Sequence, residues 1–161
     1  MDIKMLTTAD EAAMMDLLTN DRIKQTYMLP DFAEKEDALP LFQRLLGRSQ
    51  DDAHFVRGIY ADGKLVGFLN DVEIENGSIE LGYVIHPNHW GKGYATAALK
   101  AAISELFRLG CREVVTGAFS RNTASIRVME KAGMTLQEKT EEINYRGQTH
   151  HCIYYSICAQ R

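Results

Sequence analysis

The stretch from Ile79 to Gly110, IELGYVIHPNHWGKGYATAALKAAISELFRLG, constrains this chain more than any other, because it reads as strand, glycine loop and helix in immediate succession. Ile79, Leu81, Tyr83 and Ile85 alternate with Glu80, Gly82, Val84 and His86, which is the period-2 pattern of a strand. Pro87 ends the ladder, since it has no N–H to donate. Trp90-Gly91-Lys92-Gly93-Tyr94-Ala95 then leads into a helix. Its Leu99, Ala102, Ile103 and Leu106 fall on one face, and Lys100, Ser104 and Arg108 on another. Gly110 is placed to close it as the C-cap.

A junction of this kind favours an anion. The first amides of a helix have no partner within it, and the helix dipole adds partial positive charge there. Glycines at 91 and 93 let the backbone approach closely. A phosphate-bearing ligand is therefore the first hypothesis. A Walker loop needs Gly-Lys followed by Ser or Thr, and Gly91-Lys92 is followed by Gly93. A dinucleotide fingerprint needs a third glycine, which Gly91-x-Gly93-x-x-Thr96 lacks. It also wants an acid ending the next strand; Glu113 is near the right distance but precedes the apolar run Val114-Val115. On spacing alone, a tight turn with no ligand is the competing reading.

The rest of the chain supplies further strands and helices. Ile3 to Leu6 reads as a short strand. Thr7 or Thr8 is placed to cap a helix from about 9 to 18, with Asp10 and Glu11 in its first turn. Residues 22–29 read as a short helix ended by Pro30. Asp31 is placed to cap a helix over 32–46, with Pro40 predicting a kink or two pieces and Gly47 a stop. Residues 53–60 and 64–74 read as strands joined at Asp62-Gly63, and Asn76-Gly77 is a second hairpin signal. After the main helix come a strand over 112–118, a helix over 122–132 stopped by Gly133, and a final hairpin, 134–144 and 148–158, about Arg146-Gly147. This order predicts an α+β fold with a mixed sheet.

Composition narrows the class. The 161 residues suit one domain, 1–161, with a substantial core. A net charge of −4 argues against a general nucleic-acid binder and is compatible with cationic acceptors. No run reaches the ~18 apolar residues of a membrane span. The first residues, MDIKMLTTADEAAMM, lack the apolar segment of a signal peptide. Cys111, Cys152 and Cys158 are odd in number and form no CxxC, which predicts free thiols in a cytoplasmic protein.

The loop resembles the coenzyme A loop of the GNAT acetyltransferases, Gln/Arg-x-x-Gly-x-Gly/Ala, at Gly93 and Ala95, with Trp90 standing where the signature has Gln or Arg. The run His-Pro-x-x-Trp-Gly-Lys-Gly-Tyr-Ala-Thr is similar to the branch that includes ribosomal-protein N-terminal acetyltransferases. Asn122-Thr-Ala-Ser125-Ile-Arg-Val-Met-Glu130-Lys131-Ala-Gly133 resembles the second family motif. The resemblance covers the chain, most loosely over residues 20–50. It implies a GNAT-like, mostly antiparallel central sheet of about seven strands with helices on both faces. It also implies acetyl-CoA as co-substrate and direct transfer to an amine in a ternary complex; no metal is expected.

Site residues follow from that resemblance. Backbone amides of Gly91, Lys92, Gly93, Tyr94 and Ala95 are expected at the pyrophosphate, with Thr96 adding a hydroxyl and Lys92 screening charge. Val84 and Ile85, with His86 at the rim, are expected to pair with the pantetheine arm as an added strand. Asn122 and Ser125 are expected at the pantetheine amide, although Asn122 equally reads as a helix cap. Lys131 is expected near the adenosine phosphate. The tyrosine acid of many relatives is replaced by Met129, which leaves Ser125 as the nearest polar substitute. Glu80 is the expected general base, with Asp71, Glu73 and Glu75 as rivals. His86 and His89 raise a metal reading, but Pro87 and the loop deny them a shared helical face, and no third ligand is in register. The acceptor, a small-molecule amine or a protein N-terminus, is not legible, and a homodimer is left open. Two rivals remain: a non-catalytic acyl-CoA sensor and a nucleotide-binding α/β module.

Overall fold

Three dipeptides set the strand pairing. Asp62-Gly63, Asn76-Gly77 and Arg146-Gly147 have positive φ at both residues, as tight hairpin turns of the primed types require. The computed structural model describes residues 1–160. Its strands are β1 (Asp2–Lys4), β2 (Val56–Ala61), β3 (Lys64–Glu75), β4 (Ser78–Ile85), β5 (Glu113–Phe119), β6 (Thr135–Tyr145) and β7 (Gln148–Cys158). Its α-helices are α1 (Glu11–Leu18), α2 (Leu39–Ser49), α3 (Tyr94–Arg108) and α4 (Thr123–Lys131). The strands form one seven-stranded sheet in the order β1-β2-β3-β4-β5-β7-β6. β4 and β5 pair parallel, while β1–β2, β2–β3, β5–β7 and β6–β7 pair antiparallel. This is the mixed α+β architecture that the sequence predicts.

The chain divides into two compact units, Met1–Asn70 with Tyr83–Ala98, and Asp71–Gly82 with Leu99–Arg161. The first has a core built on Leu6, Met14, Leu17, Leu18, Phe42 and Phe68. The buried Ser49 hydroxyl ties its elements together, accepting from Leu6 N–H at 2.9 Å and donating to the Val56 carbonyl at 2.8 Å. The second unit buries Ile79, Leu81, Val114 and Met129, together with the predicted face of α3, Leu99, Ala102, Ile103 and Leu106.

Several predicted elements differ. Residues 22–29 hold only a 3-10 turn, Ile23–Gln25, started by Asn20 Oδ1, which accepts from the Arg22 and Ile23 amides. The helix expected over 32–46 starts later, as a 3-10 turn at Lys35–Ala38 that leads into α2. Glu34, not Asp31, stands at its N-cap, with its amide donating to Asp37 Oδ2 at 3.1 Å. Pro40 falls in the first turn of α2, where no N–H is needed, and the segment is in two pieces, the Lys35–Ala38 turn and α2, one of the two outcomes that Pro40 predicts. Gly47 is inside α2 and does not end it.

Candidate active site

The glycine loop lies between β4 and α3. Pro87–His89 forms a 3-10 turn, and Gly91 and Gly93 both have left-handed backbones, φ +77° and +79°. A Cβ built at either glycine meets nothing within 4 Å, so the space over the loop is open. The loop is latched to the strand. Trp90 Nε1–H donates to the Ile85 carbonyl at 2.7 Å, and the Arg22 guanidinium lies 4.8 Å from the Trp90 ring centroid. Tyr94, Ala95 and Thr96 open the fifteen-residue α3, so their amides lie in the first helical turn, while Lys92 is exposed. These features fit an anionic phosphate group.

His86 is fully engaged. Its Nδ1 accepts the Asn88 amide at 3.1 Å, and its Nε2 lies 2.8 Å from Asp16 Oδ2. The neutral ring that donates from Nε2 satisfies both contacts. Val84 and Ile85 are buried at the end of β4. The parallel pairing with β5 runs from Ser78–Glu113 to Leu81–Thr116, and β4 continues to Ile85.

In the second unit Asn122 caps α4, its Oδ1 accepting the Ser125 amide at 3.2 Å, as the capping reading anticipates. Lys131 is exposed in the last turn of that helix, and Met129 is fully buried.

The same unit contains an open cleft of about 770 Å³. Its floor is a row of β-paired residues, with Glu80 on β4 opposite Val115 on β5, and Val115 opposite Ser156 on β7. Glu73, Glu75 and Glu113 line it together with Glu80, and β6 contributes Gln137, Glu138 and Lys139. The structure thus brings Glu80 together with two of its three named rivals; the third, Asp71, is buried. Loss of hydration on burial pushes the Glu80 carboxyl up from the ordinary glutamate value. Lys139 opposes that rise, and Glu73 and Glu141 reinforce it. A carboxylate shifted upward in a cleft is suited to taking a proton near neutral pH.

Sequence reading missed Tyr154, Glu141 and Lys139. The Tyr154 hydroxyl donates to Glu141 Oε2 at 2.8 Å, and Lys139 Nζ lies 3.3 Å from Glu141 Oε1. The Tyr154 hydrogen bond, then Lys139, hold the Glu141 carboxyl below the usual range. The polar run Gln137 to Glu142 carries no alternation that would have pointed to these contacts. Among the described residues, no three His, Cys, Asp or Glu side chains converge as a metal site, and no helix is long and apolar enough to cross a membrane.

Comparison with known proteins identifies the family. Residues 2–135 match the model of the acetyltransferase (GNAT) domain. The chain is 26% identical to the uncharacterized N-acetyltransferase YoaA of Bacillus subtilis (strain 168), over 99% of this chain and 93% of YoaA. Two solved structures, each 20% identical, share the fold. The spermidine N-acetyltransferase from Vibrio cholerae, in complex with CoA and spermine, has a TM-score of 0.82 over 98% of this chain and 93% of its own. The ribosomal-protein-alanine N-acetyltransferase from Brucella melitensis has a TM-score of 0.81 over 99% and 100%. The chain belongs to the GNAT acetyltransferase family, and acetyl transfer from acetyl-CoA to an amine is its reaction class.

Proposed function

We propose that the acidic cleft is the acceptor site and that it takes a cationic amine with no carboxylate beside the reacting nitrogen. The observation that carries this is the lining itself. Five glutamates against one lysine attract an ammonium group and repel the carboxylate of a free amino acid. An alkylamine or a peptide N-terminus meets that requirement. The reading treats residues 1–161 as one acetyltransferase domain acting in the cytoplasm, a setting that the free thiols of Cys111, Cys152 and Cys158 support.

The co-substrate supplies an acyl group already activated as a thioester. The amides of Gly91 to Ala95 hold its pyrophosphate, helped by Thr96 and Lys92, and the backbone of Val84 and Ile85 with His86 aligns its arm. Asn122 and Lys131 take the contacts expected of them at the amide and the adenosine phosphate. Glu80 removes a proton from the acceptor ammonium through a water, freeing the lone pair that attacks the acetyl carbonyl. Ser125 stabilises or protonates the departing sulfur. Much of the rate comes from positioning amine and thioester together.

The test is an amine, amino-acid and peptide panel with acetyl-CoA, followed by release of free thiol. Turnover is expected with amines and peptides, and weak or none with free amino acids. No turnover with any acceptor would favour a non-catalytic acyl-CoA sensor, the reading to which Met129 at the usual tyrosine position lends support. Two substitutions sharpen the assignment. Gly93→Val places a β-branched residue at φ +79° and should abolish coenzyme A binding in calorimetry while the protein remains folded. Ser125→Ala should lower kcat more than acetyl-CoA affinity. Normal turnover with reduced thermal stability would assign Ser125 to α4 alone.

A further inference from the structure

β6 and β7 pair regularly on either side of a single break. Leu136 faces Tyr155 and Thr140 faces Ile153, so Gln137, Glu138 and Lys139 together stand opposite Tyr154. A bulge of this kind leaves residues outside the ladder and re-aims their side chains. The three bulged residues are the part of β6 that lines the cleft.

Tyr154 is the counterpart of the bulge. Its ring is buried and lies across Gly117, where an added Cβ would sit 2.7 Å from Cε1. Lys139 Nζ stands 4.4 Å from the centroid of that ring and 3.3 Å from Glu141 Oε1. Glu141 is fixed in turn by the Tyr154 hydroxyl. A primary ammonium therefore already has a seat in this wall, with an aromatic face on one side and a carboxylate on another. Lys139, which fills it, is the one cation among the residues lining the cleft.

We propose that Lys139 is a selectivity residue of the acceptor cleft: presented by the β6 bulge, its ammonium fills the seat that the second ammonium of a diamine would take, so the cleft favours acceptors bringing a single positive charge. The inference rests on the reading of the cleft as the acceptor site. A monoamine placed at Glu80 leaves the Lys139–Glu141–Tyr154 contacts intact. A diamine spanning both positions must displace Lys139 into solvent.

Calorimetric titration at saturating coenzyme A, with butylamine and with 1,4-diaminobutane, tests this on the full-length protein. Lys139→Met should raise the affinity for the diamine relative to the monoamine roughly three- to thirtyfold, the worth of one cation–π contact and one exposed ion pair. Lys139→Arg should leave the ratio near that of the unsubstituted protein. Lys4→Met makes the same change in net charge outside the cleft and should not move it. An unchanged ratio in Lys139→Met, or an equal rise in Lys4→Met, overturns the assignment. Glu80→Gln separates this failure from failure of the cleft reading. If it weakens butylamine binding while Lys139→Met changes nothing, only the role of Lys139 falls. If butylamine binding is indifferent to Glu80→Gln, the cleft is not the acceptor site and both fall.

Discussion

Tyr60 and Tyr154 are built alike and placed differently. Tyr60 lies against Gly58, where an added Cβ would sit 2.7 Å from the ring. Lys4 Nζ stands 4.5 Å from its centroid, and its hydroxyl donates to Asp10 Oδ2 at 2.6 Å. A register shift between Ile59 and Tyr60 accompanies it. Tyr154 repeats every part, with Gly117, Lys139, Glu141 and the β6 bulge. Burial first, then the carboxylate, pushes both phenols well above their ordinary value. Asp10, however, also accepts the Thr7 amide at 2.8 Å, so the Tyr60 cluster fastens the start of the first helical segment to β2. The Tyr154 cluster stands in a cleft lined by glutamates. The same contacts make a clasp in one place and a cleft wall in the other; the surroundings decide which.

The comparison breaks if the two clusters respond alike to substitution. The largest difference is expected at Glu80. Glu80→Gln should cut turnover by about 10²–10⁴ near neutral pH, the usual contribution of a positioned acid–base group. The loss should shrink at high pH, where free amine is abundant. Because the Glu80 pKa is raised in the folded protein, its charge opposes folding above that pKa and ceases to do so as pH falls through it. Glu80→Gln should therefore not lower the melting temperature at neutral pH, and the acid limb of wild-type kcat/KM should lie above the range of an ordinary glutamate. Wild-type turnover with an unchanged pH profile would remove Glu80 from the mechanism.

Paired phenylalanine substitutions give the intermediate effect. Tyr60→Phe removes one of the charge-assisted donors to Asp10, leaving the Thr7 amide, and should cost roughly 1–2 kcal/mol in denaturant unfolding. Tyr154→Phe should cost less, below about 1 kcal/mol, because Glu141 is exposed and keeps Lys139. Equal losses would erase the distinction between clasp and wall. The smallest effect is expected at Thr116, whose fully buried hydroxyl has no hydrogen-bond partner among the described residues. Thr116→Val should be neutral or stabilising by up to about 1 kcal/mol in the same measurement, since it removes an uncompensated polar atom at constant shape.

Local signals carried much of this fold into the sequence. The three turn dipeptides, the apolar face of α3 and the Asn122 cap each depend on residues close along the chain, and each stands where it is expected. The stop at Gly47 fails because its backbone does not enter the left-handed region that a glycine at a helix end uses, so α2 continues to Ser49. The place of Glu80 in the cleft lining was legible because strand alternation sets it apart from the buried Ile79 and Leu81. Lys139 and Tyr154 were not. They are fifteen positions apart in the sequence, and only the register of β6 on β7 brings them together. That register is a property of two strands, and the polar run Gln137 to Glu142 offers no pattern that would disclose it.

The β6 bulge also bears on how such a protein changes over generations. Residues held in a ladder are constrained by their partners, whereas Gln137, Glu138 and Lys139 stand together against one tyrosine. Their side chains can be exchanged without breaking a ladder pair, because Leu136 and Thr140 keep their partners on either side. If the cleft is the acceptor site, its preference can change by exchange of these few side chains, with the sheet that carries Glu80 inherited intact.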